Sequence, residues 1–167
     1  MHAFSLKDFD LLLFDLDGTL VDSVPDITLA MDATLLARNW PTVGMEHVRN
    51  WVGNGSRKLL ERAMQFTVPG FDMTQTAYQA LHETVHDEFL LQYAIYNGPN
   101  TTVFPGVIAF LDRCQQQGKK LACVTNKPET LARQLLAHLA MDTYFSIITG
   151  GDTFPQRKPD PTALLYC

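Results

Sequence analysis

The sequence contains few cysteines and no excess of basic charge, and each shortage excludes a class of protein. Its three cysteines are an odd number without metal-ligand spacing, which argues against a disulfide framework and favours a reducing cytoplasm. The formal net charge is −5, and the acidic residues are scattered, so we expect no nucleic-acid partner. Any site for an anionic ligand must therefore be local.

Long hydrophobic segments are also missing. Every apolar run is far shorter than the roughly 18 residues of a membrane-spanning helix, and no charged leader with an apolar core opens the chain. We therefore expect no membrane partner and a cytoplasmic location. The 167 residues suffice for one domain with a small inserted subdomain.

Alternating strand and helix patterns predict an α/β core. Continuous apolar runs, typical of strands buried on both faces, occur at 10–16, 121–125 and 145–149. Helical periodicity separates the second run from the third and resumes at 159–166. This alternation favours a Rossmann-like parallel sheet with right-handed crossovers, incomplete at about three strands.

A purely helical stretch interrupts this core after its first strand. Glycine and proline separate four segments with helical periodicity: 25–38, 45–52, 56–66 and 74–96. No strand pattern falls between them. We predict an α/β core domain formed by 1–22 and 98–167, and an inserted all-helical domain formed by 23–97.

Polar side chains follow each predicted strand. Asp15 and Asp17 end the first strand, Thr125, Asn126 and Lys127 end the second, and Lys158 follows the third by a short loop. Because ligands bind beyond the carboxyl ends of parallel strands, these groups should meet in one crevice. Two carboxylates one residue apart can bind a divalent cation together, and hard oxygen ligands suit Mg²⁺.

The chemistry of these groups suits phosphoryl transfer. A carboxylate can attack phosphorus to form an aspartyl-phosphate, and a second acid can protonate the departing alkoxide. A hydroxyl, an amide and an ammonium can hold the phosphoryl oxygens, while Mg²⁺ screens the repulsion between Asp15 and the phosphate. Each residue alone is an ordinary turn or surface feature. Their combination carries the prediction.

Three motifs in order extend this pattern along the chain. They are DLDGTLVDS at 15–23, VTNKP at 124–128 and GGD at 150–152 leading to KP at 158–159. With them the chain resembles the haloacid dehalogenase-like phosphatases, and within these the bacterial phosphoglycolate phosphatases. The resemblance implies an α/β core with a helical cap, and an Mg²⁺-dependent phosphomonoester hydrolase acting on a small phosphorylated metabolite.

Site residues follow from the same resemblance. It implies that Asp15 is the nucleophile and Asp17 the general acid and then base, and that both hold Mg²⁺. It also implies that the catalytic residues Thr125 and Lys158 bind the phosphoryl group. Substrate contacts are expected from Gly18, Thr19 and Asn126.

Substrate choice is expected in the helical domain, which resembles the mobile cap that closes over the site in this family. Arg57, beside a helix start after the loop 53–56, is placed to meet the carboxylate of 2-phosphoglycolate. A solvated Arg57 in an ordinary helix-helix turn is the alternative. Pyrophosphatase and sugar-phosphate mutase activities stay open within the superfamily.

A rival motif lies in the last helix of this domain. His82, Glu83 and His86 match the zinc-protease pattern His-Glu-x-x-His. The apolar seam of the helix runs through Val85 and Phe89, which predicts a solvated or rim position for both histidines. We favour that interpretation over zinc hydrolysis.

The family's fourth motif, an acidic pair that supplies the remaining metal ligand, does not appear before Cys167. Asp152 resembles part of that motif but precedes Lys158, so we interpret Asp152 as structural or peripheral. We expect a truncated portion of a longer enzyme, the alternative being a catalytically weak or inactive binding module. In the family's sheet order the absent strand would pair beside the first, so 10–14 should form an apolar edge open to a homodimer or strand-swapped association.

Overall fold

Strands and helices alternate as the pattern predicts. The computed structural model describes residues 8–167. In chain order its strands are β1 (Leu11–Phe14), β2 (Val21–Asp22), β3 (Thr102–Val103), β4 (Lys120–Val124) and β5 (Ile147–Thr149). Its α-helices are α1 (Val24–Ala37), α2 (Gly44–Trp51), α3 (Ser56–Thr67), α4 (Thr76–Tyr96), α5 (Val107–Gln116), α6 (Glu129–His138) and α7 (Thr162–Tyr166). The chain divides into two compact units, one formed by 8–22 and Thr102–Cys167 and the other by Ser23–Thr101.

A three-stranded parallel sheet forms the centre of the first unit. Its order is β1-β4-β5, with Leu12 opposite Leu121 and Ala122 opposite Ile147. The connection from β4 to β5 runs through α6, as parallel pairing requires. Side chains from the strands, α5 and α6 share one apolar core, which includes Leu121, Leu111, Cys114, Leu135 and Leu136. The predicted Rossmann-like α/β core with an inserted helical segment is confirmed.

The sequence pattern missed a small antiparallel pair in the same unit. Val21 of β2 lies opposite Val103 of β3, and Asp22 lies opposite Thr102. Two residues per strand are too few to produce a period-2 pattern. The pair holds the departing and returning chain side by side, so the helical insertion begins and ends at adjacent points of the α/β unit.

Four helices build the second unit. The largest contact in this unit is between α1 and α4. The fully buried side chains of these two helices include Met31 and Leu35 of α1 and Val85 and Phe89 of α4. No strand lies between Ser23 and Thr101, as the sequence predicts. Within the part of the chain that the structure describes, no helix is long and apolar enough to cross a membrane.

One buried carboxylate, that of Asp26 in α1, closes the helical unit. It accepts hydrogen bonds from the N–H groups of Gly98 at 3.0 Å and Asn100 at 2.9 Å, and from the Thr101 hydroxyl at 2.6 Å. The sequence places the boundary after residue 97, whereas these bonds tie 98–101 to the helical unit.

Replacing Asp26 with alanine should destabilise the protein strongly. The substitution leaves several buried donors without an acceptor, which we expect to lower the free energy of unfolding by about 3 kcal/mol. Urea unfolding followed by circular dichroism measures this change. The exposed Asp87, in the same unit, serves as a control, because Asp87→Ala should change stability by less than about 0.5 kcal/mol. Equal effects of the two substitutions would contradict the assignment.

β1 is an edge strand of the sheet among the described residues. Its Leu13 is 38% exposed, and an apolar cavity beside the strand is lined by Phe14, Leu20, Pro105, Val107 and Phe110 together with Thr19 and Gly106. An edge presents N–H and C=O groups to which another strand can bind. Association through this edge, as a homodimer or by strand exchange, stays a prediction.

A charge on this edge should oppose such association. We expect Leu13→Lys to shift any self-association measured by sedimentation equilibrium toward the monomer, because charged side chains block edge-to-edge pairing. Leu165→Lys is the matched control, since Leu165 is also exposed in the α/β unit but lies on α7. Self-association that is unaffected by Leu13→Lys would place the contact elsewhere.

Candidate active site

The two acids lie in a tight turn directly after β1. The N–H of Leu16 donates to Asp15 Oδ1 at 2.8 Å. Gly18 has a φ of +82°, a conformation that favours glycine, and its N–H donates to the Val21 carbonyl at 2.8 Å. This turn keeps the partly exposed carboxylates of Asp15 and Asp17 at the carboxyl end of the sheet.

Lys158 connects two strand ends. Its Nζ lies 2.8 Å from Asp15 Oδ1 and donates to the carbonyl of Val124, the last residue of β4, at 2.7 Å. An ammonium carries three N–H donors, so these two contacts leave one for a phosphoryl oxygen. Lys158 and Asp15 therefore lie together in the folded chain, as expected of groups that follow neighbouring parallel strands.

Thr125 and Asn126 occupy the loop after β4. The buried Thr125 hydroxyl accepts a hydrogen bond from the N–H of Lys127 at 3.2 Å. Because that contact uses a lone pair, the hydroxyl proton remains able to donate to a phosphoryl oxygen. Asn126 Nδ2 donates to the Lys158 carbonyl at 3.1 Å and so holds the Lys158 loop in place. Its direct contact with substrate stays a prediction.

The sequence placed Lys127 among the polar groups at the strand ends but gave it no individual role. Its Nζ lies 3.6 Å from Asp17 Oδ1, and its side chain is only 1% exposed. A buried ammonium needs a compensating charge, and Asp17 supplies one. The signal that points to Lys127 is its place two residues after Thr125, at the end of a buried strand.

Gly150 and Gly151 let the loop after β5 approach the second motif. A Cβ on Gly151 would lie 2.4 Å from the Asn126 carbonyl oxygen, and one on Gly150 would lie 2.2 Å from the Glu129 nitrogen. The next residue, Asp152, accepts the Glu129 N–H at 2.7 Å and so satisfies the first residue of α6. The sequence led us to expect a structural or peripheral Asp152, and its contact with Glu129 is of the structural kind.

A thiol beneath the site takes no part in the chemistry. Burial raises the pKa of Cys123 to about 12, and the charges of Asp15 and Asp17 act in the same direction. A thiolate is the reactive form of cysteine, so this thiol is inert at neutral pH. The carboxylate of Asp15, at the end of the neighbouring strand β1, is by contrast partly exposed.

Asp15 and Asp17 are the side chains that suit a hard cation. Carboxylate oxygens are preferred ligands of Mg²⁺, which commonly binds one or two protein carboxylates together with water and substrate phosphate. No cluster of three metal-binding side chains occurs among residues 8–167. The two carboxylates fit an ion of that kind, as part of its coordination shell.

The remaining predicted residues are divided between the turn after β1 and the helical unit. Gly18 and Thr19 are exposed in the turn after β1, and the Thr19 N–H donates to Leu16. Arg57 belongs to the helical unit, where its guanidinium forms an ion pair with Glu83 while the Arg57 side chain remains 43% exposed. The α/β unit therefore brings together the acids, Thr125 and Lys158, and the helical unit carries Arg57.

The prediction of a rim position for the zinc-like motif is wrong. His82 and His86 are 3% and 4% exposed, because the amino end of α3 covers this flank of α4. Their Nε2 atoms contact α3, and among residues 8–167 no third metal ligand joins them.

Comparisons with known proteins agree with this arrangement. A sequence model of haloacid dehalogenase-like hydrolases matches residues 9–167. The chain belongs to the haloacid dehalogenase-like hydrolase family. It is 42% identical over 160 residues to phosphoglycolate phosphatase 1 of Pseudomonas aeruginosa and 44% identical over 156 residues to the phosphoglycolate phosphatase of Pseudomonas putida.

Those alignments cover 93% of this chain and 56% of each relative, so the chain spans about half the length of the curated relatives it matches. A crystal structure of a predicted phosphoglycolate phosphatase from Haemophilus somnus 129pt has a TM-score of 0.84 and 30% identity, covering 98% of this chain and 71% of that one. This chain therefore shares the fold of that crystal structure.

Gly151→Ala should disturb the site. The added methyl group would collide with the Asn126 backbone, which we expect to lower the free energy of unfolding by about 1–3 kcal/mol. Urea unfolding measures the effect. Gln156→Ala, an exposed position in the same loop, should change stability by less than about 0.5 kcal/mol. A neutral Gly151→Ala would mean that the two loops do not pack as closely as described.

Proposed function

We propose that this family member is a phosphatase that hydrolyses a small phosphomonoester through an aspartyl-phosphate on Asp15. The observation that carries the proposal is the contact of Lys158 with Asp15, at 2.8 Å, beside Asp17 and Thr125. These residues offer a nucleophile, an acid and two phosphate-binding donors at the carboxyl end of the sheet. The names of the relatives support the same chemistry.

In the first proposed step, an Asp15 oxygen forms a bond to phosphorus as the bond between phosphorus and the ester oxygen breaks. Asp17, protonated at this stage, gives its proton to the departing alkoxide. Lys158 and the Thr125 hydroxyl bind the phosphoryl oxygens and neutralise the charge that develops on them.

In the second proposed step, water replaces Asp15. Asp17, now a carboxylate, takes a proton from a water molecule as its oxygen attacks phosphorus, and the bond from phosphorus to Asp15 breaks. Inorganic phosphate leaves and Asp17 is protonated again. The buried ammonium of Lys127, 3.6 Å from Asp17 Oδ1, lies beside the side chain that exchanges this proton.

Haloacid dehalogenase-like phosphatases generally use a divalent metal. We propose Mg²⁺, held by Asp15 and Asp17, because both ligands are hard oxygens. When bound, the ion would offset the repulsion between the Asp15 carboxylate and the phosphate dianion. The acids keep the roles in attack and proton transfer given above.

The proposed substrate is 2-phosphoglycolate. Relatives at 42% and 44% identity carry the name phosphoglycolate phosphatase, and Arg57 offers a partly exposed guanidinium for a carboxylate. A guanidinium carries five N–H donors, so its pairing with Glu83 does not saturate it. We propose that Arg57 supplies the contact that distinguishes a carboxylated phosphomonoester from an uncharged one.

We also propose that the protein works in the cytoplasm. Cys114, Cys123 and Cys167 are all free thiols, which is the state that a reducing compartment maintains.

Asp15→Asn should abolish Mg²⁺-dependent hydrolysis of 2-phosphoglycolate. Loss of the nucleophile should reduce kcat by at least about 1,000-fold, as measured by phosphate release. Asp152→Asn is the matched control, because that side chain contacts the start of α6 and an amide oxygen can still accept the bond. Equal activity of wild type and Asp15→Asn would rule out the assigned nucleophile.

A substrate panel distinguishes the remaining alternatives. Pyrophosphate and a hexose 1-phosphate, tested beside 2-phosphoglycolate, separate pyrophosphatase and mutase activities from the proposed reaction. If the chain hydrolyses none of them with Mg²⁺ present, a binding module without catalysis is the better interpretation.

A further inference from the structure

The zinc-like motif of α4 contacts the start of α3 with all three of its polar residues. His82 Nε2 lies 2.9 Å from the Arg57 carbonyl oxygen, and His86 Nε2 lies 2.8 Å from Ser56 Oγ. Glu83 pairs with the Arg57 guanidinium. One turn of α4 thus binds Ser56 through its hydroxyl group, and Arg57 through both its backbone carbonyl and its charged side chain.

We propose that His82, Glu83 and His86 are positioning residues that hold Arg57 in place to recognise the carboxylate of a phosphorylated acid. The inference rests on the proposed function, because it takes Arg57 as the group that reads the substrate. It gives the His-Glu-x-x-His motif a role in specificity instead of metal binding.

The protonation of His82 follows from its partner. A carbonyl oxygen only accepts hydrogen bonds, so His82 Nε2 must carry the hydrogen. Its Nδ1 is buried, has no hydrogen-bond partner and lies 3.8 Å from Glu83 Oε1. The His82 ring therefore offers one directed donor, and this donor fixes the backbone of Arg57.

His86 supports the same contact from one turn further along α4. Its ring stacks on that of His82 at a centroid distance of 6.2 Å and an interplanar angle of 11°. Burial lowers its pKa to about 4, with smaller contributions from Arg57 and His82 that outweigh those of Glu83 and Asp87. A neutral imidazole beside the guanidinium avoids repulsion between two cations.

Holding Arg57 this way has an energetic advantage for binding. A free arginine side chain loses rotamer entropy when it is immobilised, and the pairing of Arg57 with Glu83 removes part of that loss from the binding step. The loop before it includes Gly53 and Gly55, with φ values of +118° and +85°, so α3 begins after a glycine-rich turn. The histidine contacts fix the residues that follow this turn.

The test compares two substrates that differ in one group. Ethyl phosphate has a methyl group where 2-phosphoglycolate has its carboxylate. With the full chain, His82→Leu should raise KM for 2-phosphoglycolate by about 10-fold, the loss of one preorganised ionic contact, and leave kcat nearly unchanged. The kcat/KM for ethyl phosphate should stay within about 2-fold of wild type.

Conservative and control variants separate positioning from general damage. His82→Gln retains an N–H donor at a similar distance from the backbone and should restore most of the KM. Ser56→Ala removes the partner of His86 with little risk to folding and should act in the same direction as His82→Leu. His47→Leu is the control, because His47 hydrogen-bonds to the carbonyl of Val43, directly before its own helix α2, and contacts α3 through the ring of Phe66, at the opposite end of that helix from Arg57.

A second measurement does not depend on activity. In ligand-free protein, amide hydrogen exchange of residues 55–59 should be at least about 10-fold faster in His82→Leu than in wild type or His47→Leu, because local opening becomes easier. If wild type neither binds nor hydrolyses 2-phosphoglycolate, the proposed substrate fails and this exchange measurement still tests the positioning. Unchanged exchange, or an equal loss with both substrates, would overturn the inference.

Discussion

The contact between Lys158 and Asp15 is the interaction on which the candidate active site depends. It joins the end of β1 to a loop beyond β5, and Lys158 also binds the last carbonyl of β4. These ends meet because parallel strands place their carboxyl ends at one edge of the sheet. The close approach of Gly151 to Asn126 then sets how near the loops can come.

The helical unit uses the same kind of constraint at two places. Asp26 closes the unit by binding the N–H groups of Gly98 and Asn100, and the histidines of α4 bind the start of α3. In both places buried polar side chains bind a segment at the end of a helix: residues 98–101 follow α4, and Ser56 and Arg57 begin α3. Buried polar groups of this kind are satisfied or costly, so they define one arrangement of the chain.

Prediction from sequence succeeded where the signal was local. The apolar runs located β4 and β5, and glycine and proline located the helix ends of the insertion. It failed for β2 and β3, which are too short to show a period, and for His82 and His86, which were expected at a solvated rim. The seam of α4 was assigned from one helix, and the side chains of α3 that cover its flank come from another.

The sequence alone was enough to predict four candidate site residues, because residue type and the order of motifs can be read without the fold. These residues are Asp15, Asp17, Thr125 and Lys158. The chemistry of a carboxylate beside an ammonium is intrinsic to those residues. Only the tertiary structure showed three further contacts. These are the pairing of Lys127 with Asp17, the hydrogen bond of Asp152 to the start of α6, and the binding of Arg57 by α4. Burial and distance depend on which distant segments pack together, and that packing is a property of the whole fold.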